Sequence, residues 1–131
     1  MLLDTSGLLC FLYESETHHD QAVTLFEQAT TRYSHTLILA ELLAVATVRK
    51  LDRQKCIKFI REMLTSPDIE IIEVTKSMVE QSIDFLSRRK DKQWSICDAV
   101  SFLLMREHQL TEALTNDRHF EQAGYQALLK K

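Results

Sequence analysis

Apolar residues along this chain alternate between short runs and stripes at helical spacing. Met1-Leu2-Leu3 is a minimal apolar stub, followed by Asp4-Thr5-Ser6 and then Leu8, Leu9, Phe11 and Leu12. This pattern predicts a very short strand, a turn and a first helix starting near Ser6. The strand is clipped enough that the natural start of the chain need not be Met1. Residues His18 to Thr30 place Ala22, Val23, Leu25, Phe26 and Ala29 on one amphipathic helix, and Tyr33 to His35 form a short strand. Thr36 to Val48 is an almost unbroken apolar helix, interrupted by one acid, Glu41. Lys55 to Leu64 predicts a further helix closed by Ser66-Pro67.

Ile69 to Val74 (IEIIEV) is the best interior strand signal. Helices are expected over Thr75 to Arg89 and Ser95 to His108, and Ala113-Leu114 is a short strand running into Thr115-Asn116-Asp117. A small helix from His119 to Ala123 and a last strand around Tyr125 to Leu129 close the chain. Strands alternating with helices predict an α/β sandwich, with a short, mostly parallel central sheet flanked by helices.

Composition narrows this picture. At 131 residues with 45% hydrophobic content, 2 Gly and 1 Pro, the chain suits one domain spanning 1–131 with little room for a flexible linker. No run reaches the roughly 18 apolar residues needed to cross a bilayer, and the N-terminus lacks the features of a secretory signal. Cys10, Cys56 and Cys97 are odd in number and widely spaced, which fits small buried residues in a reducing cytoplasm. The formal net charge of −3 argues against a broad electrostatic grip on nucleic acid, unless bound cations change the local sign.

Four acids stand in unusual places. Glu41 has Leu37, Ile38, Ala44 and Val45 as its helical neighbours, so a solvated face is hard to draw around it. Burying a lone carboxylate costs several kcal/mol unless it is paired, hydrogen-bonded or bound to metal. Asp98 opens an apolar helix, where Ser95-Ile96-Cys97-Asp98 has the spacing of a capping box and capping alone is a sufficient account. Asp4 and Asp117 follow predicted strands, on the sheet edge where ligands gather, although turn and N-cap roles would suit them too. Taken together the four predict one site. Converging carboxylates repel each other, so a cation is needed, and hard oxygen donors favour Mg2+ or Mn2+ over Zn2+.

Asp4-Thr5-Ser6, Ala40-Glu41-Leu42, Ser95-Ile96-Cys97-Asp98-Ala99 and Ala113-Leu114-Thr115-Asn116-Asp117-Arg118-His119-Phe120 with Gly124-Tyr125 resemble, in that order, the PIN-domain family, especially the VapC-like nucleases. The resemblance spans nearly the whole chain and implies a PIN-like three-layer sandwich. It implies Asp4, Glu41, Asp98 and Asp117 as the metal-holding, catalytic acids, with Ser6 and Thr115 as supporting hydroxyls. The implied activity is Mg2+- or Mn2+-dependent hydrolysis of RNA phosphodiester bonds, leaving a 5′-phosphate and a 3′-hydroxyl. The implied partners are an RNA substrate, a small antitoxin protein and a second copy of the chain in a homodimer.

For substrate contact the densest basic segment is Arg88-Arg89-Lys90-Asp91-Lys92, with Trp94 after it and Arg118-His119 flanking Asp117. Arg88, Arg89, Lys92 and Arg118 are the candidate phosphate contacts, and Trp94 a candidate stacking platform for an unpaired base. A solvated helix end with a core tryptophan would read the same way. His18 and His19 are adjacent on a helix and point about 100° apart, so they are read as helix-start residues rather than a metal pair. The apolar residues of the first helix could serve a dimer surface, with core packing as the simpler account. Two other functions remain open: a PIN fold that binds RNA or protein without cutting, and a receiver or phosphatase, which would want an acidic pair at the first strand.

Overall fold

The computed structural model describes residues 1–129. Twelve elements follow one another: β1 (Leu2–Leu3), α1 (Thr5–Leu12), α2 (His19–Gln28), β2 (Tyr33–His35), α3 (Thr36–Val48), α4 (Arg53–Thr65), β3 (Glu70–Ile72), α5 (Lys76–Ser87), α6 (Ile96–Glu107), β4 (Glu112–Leu114), α7 (Arg118–Gln122) and β5 (Gln126–Ala127). The five strands form one sheet in the order β3-β2-β1-β4-β5, and all four pairings are parallel. The expected α/β architecture is therefore present, with a fully parallel sheet. Among the described residues no helix is long and apolar enough to cross a membrane.

Strand order fixes where chemistry can gather. From β1 the chain moves outward on one side through β2 and β3, then crosses back to the other side with β4 and β5. The switch lies between β1 and β4, and in sheets of this kind ligands gather beyond the carboxyl ends at such a point. Their register pairs Leu3 with Leu114, so the next residues, Asp4 and Thr115, emerge side by side.

Two strands are shorter than their apolar runs predict. After β3 the Val74 amide donates to Thr36 Oγ1 at 3.0 Å, which turns the chain toward α5. The last strand covers only Gln126–Ala127, although Leu128 and Leu129 still donate to the Ala113 and Thr115 carbonyls.

The core is built from Leu2, Leu3, Leu8, Ile38, Leu42, Met63, Met105, Leu114 and Phe120, each with 2% exposure or less. Fully burying such side chains stabilises by about 1.5–3 kcal/mol each. The absence of a solvated face expected for α3 is not what is found. Ile38, Leu39, Leu42 and Ala46 are buried, but Ala40, Ala44, Thr47 and Val48 are exposed and Glu41 is half-buried. Only one side of α3 meets the core, and the small apolar residues of the other side lie open. In α1, Leu8 and Leu9 are buried and Phe11 stacks on Phe26 with 4.1 Å between centroids, so this helix packs inward.

Gly7 sets how closely α1 approaches the sheet. A Cβ at this position would overlap the Leu114 carbonyl oxygen, a backbone atom that cannot rotate aside. Gly7→Ala is therefore expected to destabilise the fold by about 3 kcal/mol or more, read as a lower urea midpoint. An unchanged midpoint would contradict this packing.

Candidate metal centre

Asp4 occupies the N-cap position of α1 with extended backbone (φ −92°, ψ 165°), yet its side chain caps nothing. Its carboxylate is buried and accepts the Thr115 hydroxyl at 2.8 Å. Since Thr115 spends its one proton there, Ser6 is the donor in the 3.0 Å contact between the two hydroxyls. Thr115 Oγ1 also accepts the Asp117 amide at 3.0 Å, and Ser6 Oγ accepts the Asn116 amide at 3.1 Å. This relay ties the loop after β4 to the start of α1. Thr115 thus touches the Asp4 carboxylate directly, whereas Ser6 reaches only Thr115 and the Asn116 amide.

Asp98 is both a cap and a site residue. Ser95 Oγ accepts the Asp98 amide at 3.0 Å, and Asp98 Oδ2 accepts the Ser95 amide at 3.1 Å, which closes the expected capping box. The same Oδ2 lies 3.0 Å from His119 Nδ1. Asp117 caps α7 through Oδ1, which accepts the His119 amide at 2.9 Å and stands 3.5 Å from the same ring nitrogen. Asp98, Asp117 and His119 can each offer a ligand atom, all within 4.8 Å of one another.

Asp4 lies outside that trio but feels the charges of Asp98 and of Glu41. Burial is the main force raising the Asp4 pKa, to about 7; Thr115 and the Thr5 amide oppose it, while the Asp98 and Glu41 charges add to it. Glu41 itself has no hydrogen-bond partner among the described residues. The structure therefore brings Asp98 and Asp117 together, joins Asp4 to the Asp117 loop through Thr115, and leaves Glu41 within electrostatic reach. From the sequence, His119 suits phosphate contact or a solvated surface, and not a place beside Asp98. Its place in the first turn after Asp117 was the available clue, but that the ring folds back onto Asp98 was not readable from spacing.

The PIN domain family model matches residues 1–125. The chain belongs to the PIN-domain family. Among solved structures it is similar to Mycobacterium tuberculosis VapC20, a sarcin-ricin loop cleaving toxin, with a TM-score of 0.85, 22% sequence identity and 95% of each chain covered. At that identity the likeness speaks for the fold. No curated protein matches the chain.

A second histidine orders the helices around the acids of this PIN domain. His35 Nδ1 accepts the Ile38 amide at 3.3 Å as the cap of α3, so Nε2 carries the proton and donates to Ser101 Oγ at 2.9 Å. Ser101 in turn donates to the Cys97 carbonyl at 3.0 Å. Burial lowers the His35 pKa to about 4, so the ring is neutral and joins the start of α3 to the helix bearing Asp98.

The candidate substrate contacts divide. Trp94 is buried, with Nε1 donating to Gln122 Oε1 at 3.1 Å and its ring packed against Phe85 and Phe102. It is a core residue and not a stacking platform, because three helices close over it. Arg89 lies over the Trp94 ring and pairs with Asp91 at 3.2 Å, and Lys92 Nζ stands 3.8 Å from the same acid. Arg88 and Arg118 are exposed and form no ion pair among the described residues. Cys97 is half-buried rather than enclosed, because it sits on α6 one residue before Asp98. Its thiol pKa is pushed up by burial and then by Glu41, Asp4 and Asp98.

Asp4 gives the metal-free protein a distinct pH response. The native state holds a proton that the unfolded chain releases above its ordinary value of 3.8. Metal-free stability is therefore expected to fall as pH rises from about 4 to about 7 and to level off above that. Asp4→Asn should flatten this slope and raise the urea midpoint at pH 8. A slope in the native protein that Asp4→Asn leaves intact would contradict the assignment.

Proposed function

We propose that this PIN domain is an Mg2+- or Mn2+-dependent endoribonuclease, acting in the cytoplasm as the toxin of a type II toxin–antitoxin pair. The observation that carries this reading is the clustering of Asp98, Asp117 and His119 within 4.8 Å, with buried Asp4 linked to them, at the switch point of a parallel sheet. The donors suit such an ion. Two hard carboxylates and an imidazole offer ligand atoms within 4.8 Å of one another, a spread that small side-chain rotations would close around one ion. Asp98 and Asp117 would hold the cation, with Asp4 and Glu41 completing its negative surroundings.

When bound, the cation would polarise the scissile phosphate and lower the pKa of a bound water. The chain's own residues do the rest. The Ser95 amide fixes the Asp98 carboxylate before any ligand arrives, so little reorganisation is needed. The Ser6–Thr115 relay holds the Asp117 loop against α1. Arg88 and Arg118 are exposed and would be available to RNA phosphates, while Arg89 and Lys92 would first have to part from Asp91. Membership of the family and the likeness to a VapC toxin support an RNA substrate and a small antitoxin as partners, and a homodimeric state is proposed with them.

The reading is tested with structured RNA, including a sarcin-ricin hairpin, in Mg2+, Mn2+ or EDTA. Cleavage is expected with either ion and none in EDTA. Asp98→Asn and Asp117→Asn should each lower the rate about 100-fold or more. Cleavage persisting in EDTA or in both variants would contradict the mechanism. RNA that binds but stays intact with every ion would favour a non-cutting binding module.

A further inference from the structure

We propose that His119 is itself a ligand of the cation and biases the centre toward a first-row transition ion, Mn2+, over Mg2+. The inference rests on the reading of the acids as a divalent-metal centre and specifies which ion it prefers. His119 Nδ1 donates to Asp98 Oδ2 at 3.0 Å in the metal-free chain and stands 3.5 Å from Asp117 Oδ1; with the ring proton on Nε2 instead, the same nitrogen would present its lone pair between the two carboxylates. The side chain is 24% exposed, which leaves it open to an ion arriving from solvent.

The ring's position is set by the backbone. The His119 amide is fixed to Asp117 Oδ1 at 2.9 Å, and the next residue, Phe120, is fully buried. A role confined to orienting Asp98 accounts less well for this placement. The Ser95 amide already holds the same Oδ2 at 3.1 Å, so Asp98 is oriented without the ring. A donor atom shared between two carboxylates is what a third ligand needs.

The donor set then selects the ion. Mg2+ keeps to oxygen ligands and resists exchanging its waters, whereas an imidazole nitrogen raises affinity across the first-row transition series. Mn2+ is the member of that series that also suits carboxylates. Replacing one oxygen by imidazole therefore favours Mn2+ without excluding Mg2+.

Two measurements on the full chain at pH 7.5 test this. Pulsed electron paramagnetic resonance of the Mn2+-loaded native protein should show a directly coordinated 14N coupling, lost in His119→Asn. Competition titrations should show Mn2+ affinity falling about tenfold or more in His119→Asn, with Mg2+ affinity unchanged. The asparagine keeps an amide donor for Asp98, so a purely orienting role would be rescued. Absence of nitrogen coupling in the native protein, or equal loss for both ions, would overturn the proposal. Native protein that binds neither ion would instead remove the metal centre on which it rests.

Discussion

Carboxylates crowded at the carboxyl end of β1 and β4 are the constraint around which this molecule is arranged. The pairing of Leu3 with Leu114 makes Asp4 and Thr115 neighbours, and Asp117 follows two residues later. The N-terminus of α6 adds Asp98, and α3 brings the charge of Glu41 near enough to act on Asp4. Like charges held this close oppose folding unless protons, hydrogen bonds or cations compensate them. In the metal-free molecule burial and these charges raise the Asp4 pKa to about 7, so below that pH a proton supplies part of that compensation.

The rest is met by short polar links that also fix geometry. Thr115 serves Asp4 and the Asp117 amide at once, and Ser6 secures the hydroxyl of Thr115. The Ser95 box shows how one carboxylate can be both structural and available: its Oδ2 takes the cap, while the capping leaves Oδ1 free of hydrogen bonds. His35 does similar work one layer back, joining the start of α3 to α6 through Ser101. A local role and a functional role are therefore not alternatives for these residues. The cap that could excuse Asp98 is also what holds it ready.

Much of this was legible in the sequence because its signals are local. The Ser95–Asp98 box, the apolar run of β3 and the stub before Asp4 each announce an element from a few neighbouring residues. Glu41 was harder. An all-apolar helix suggested enclosure, but core contact is a tertiary property, and α3 leaves Ala40 and Ala44 open to solvent. Trp94 stood open between core and stacking platform, and His119 between phosphate contact and solvent, for the same reason. The tryptophan's place between Phe85 and Phe102, and the imidazole's turn toward Asp98, depend on how α5, α6 and α7 pack, and no spacing along the chain encodes that.

The central claim is that these acids form a cation site, and the most direct measurement is an anomalous difference map from crystals grown with Mn2+. The account predicts a strong peak bridging the Asp98 and Asp117 carboxylates at the end of the sheet. A map with no peak there at saturating Mn2+, or with ions only on surface carboxylates elsewhere, would contradict it.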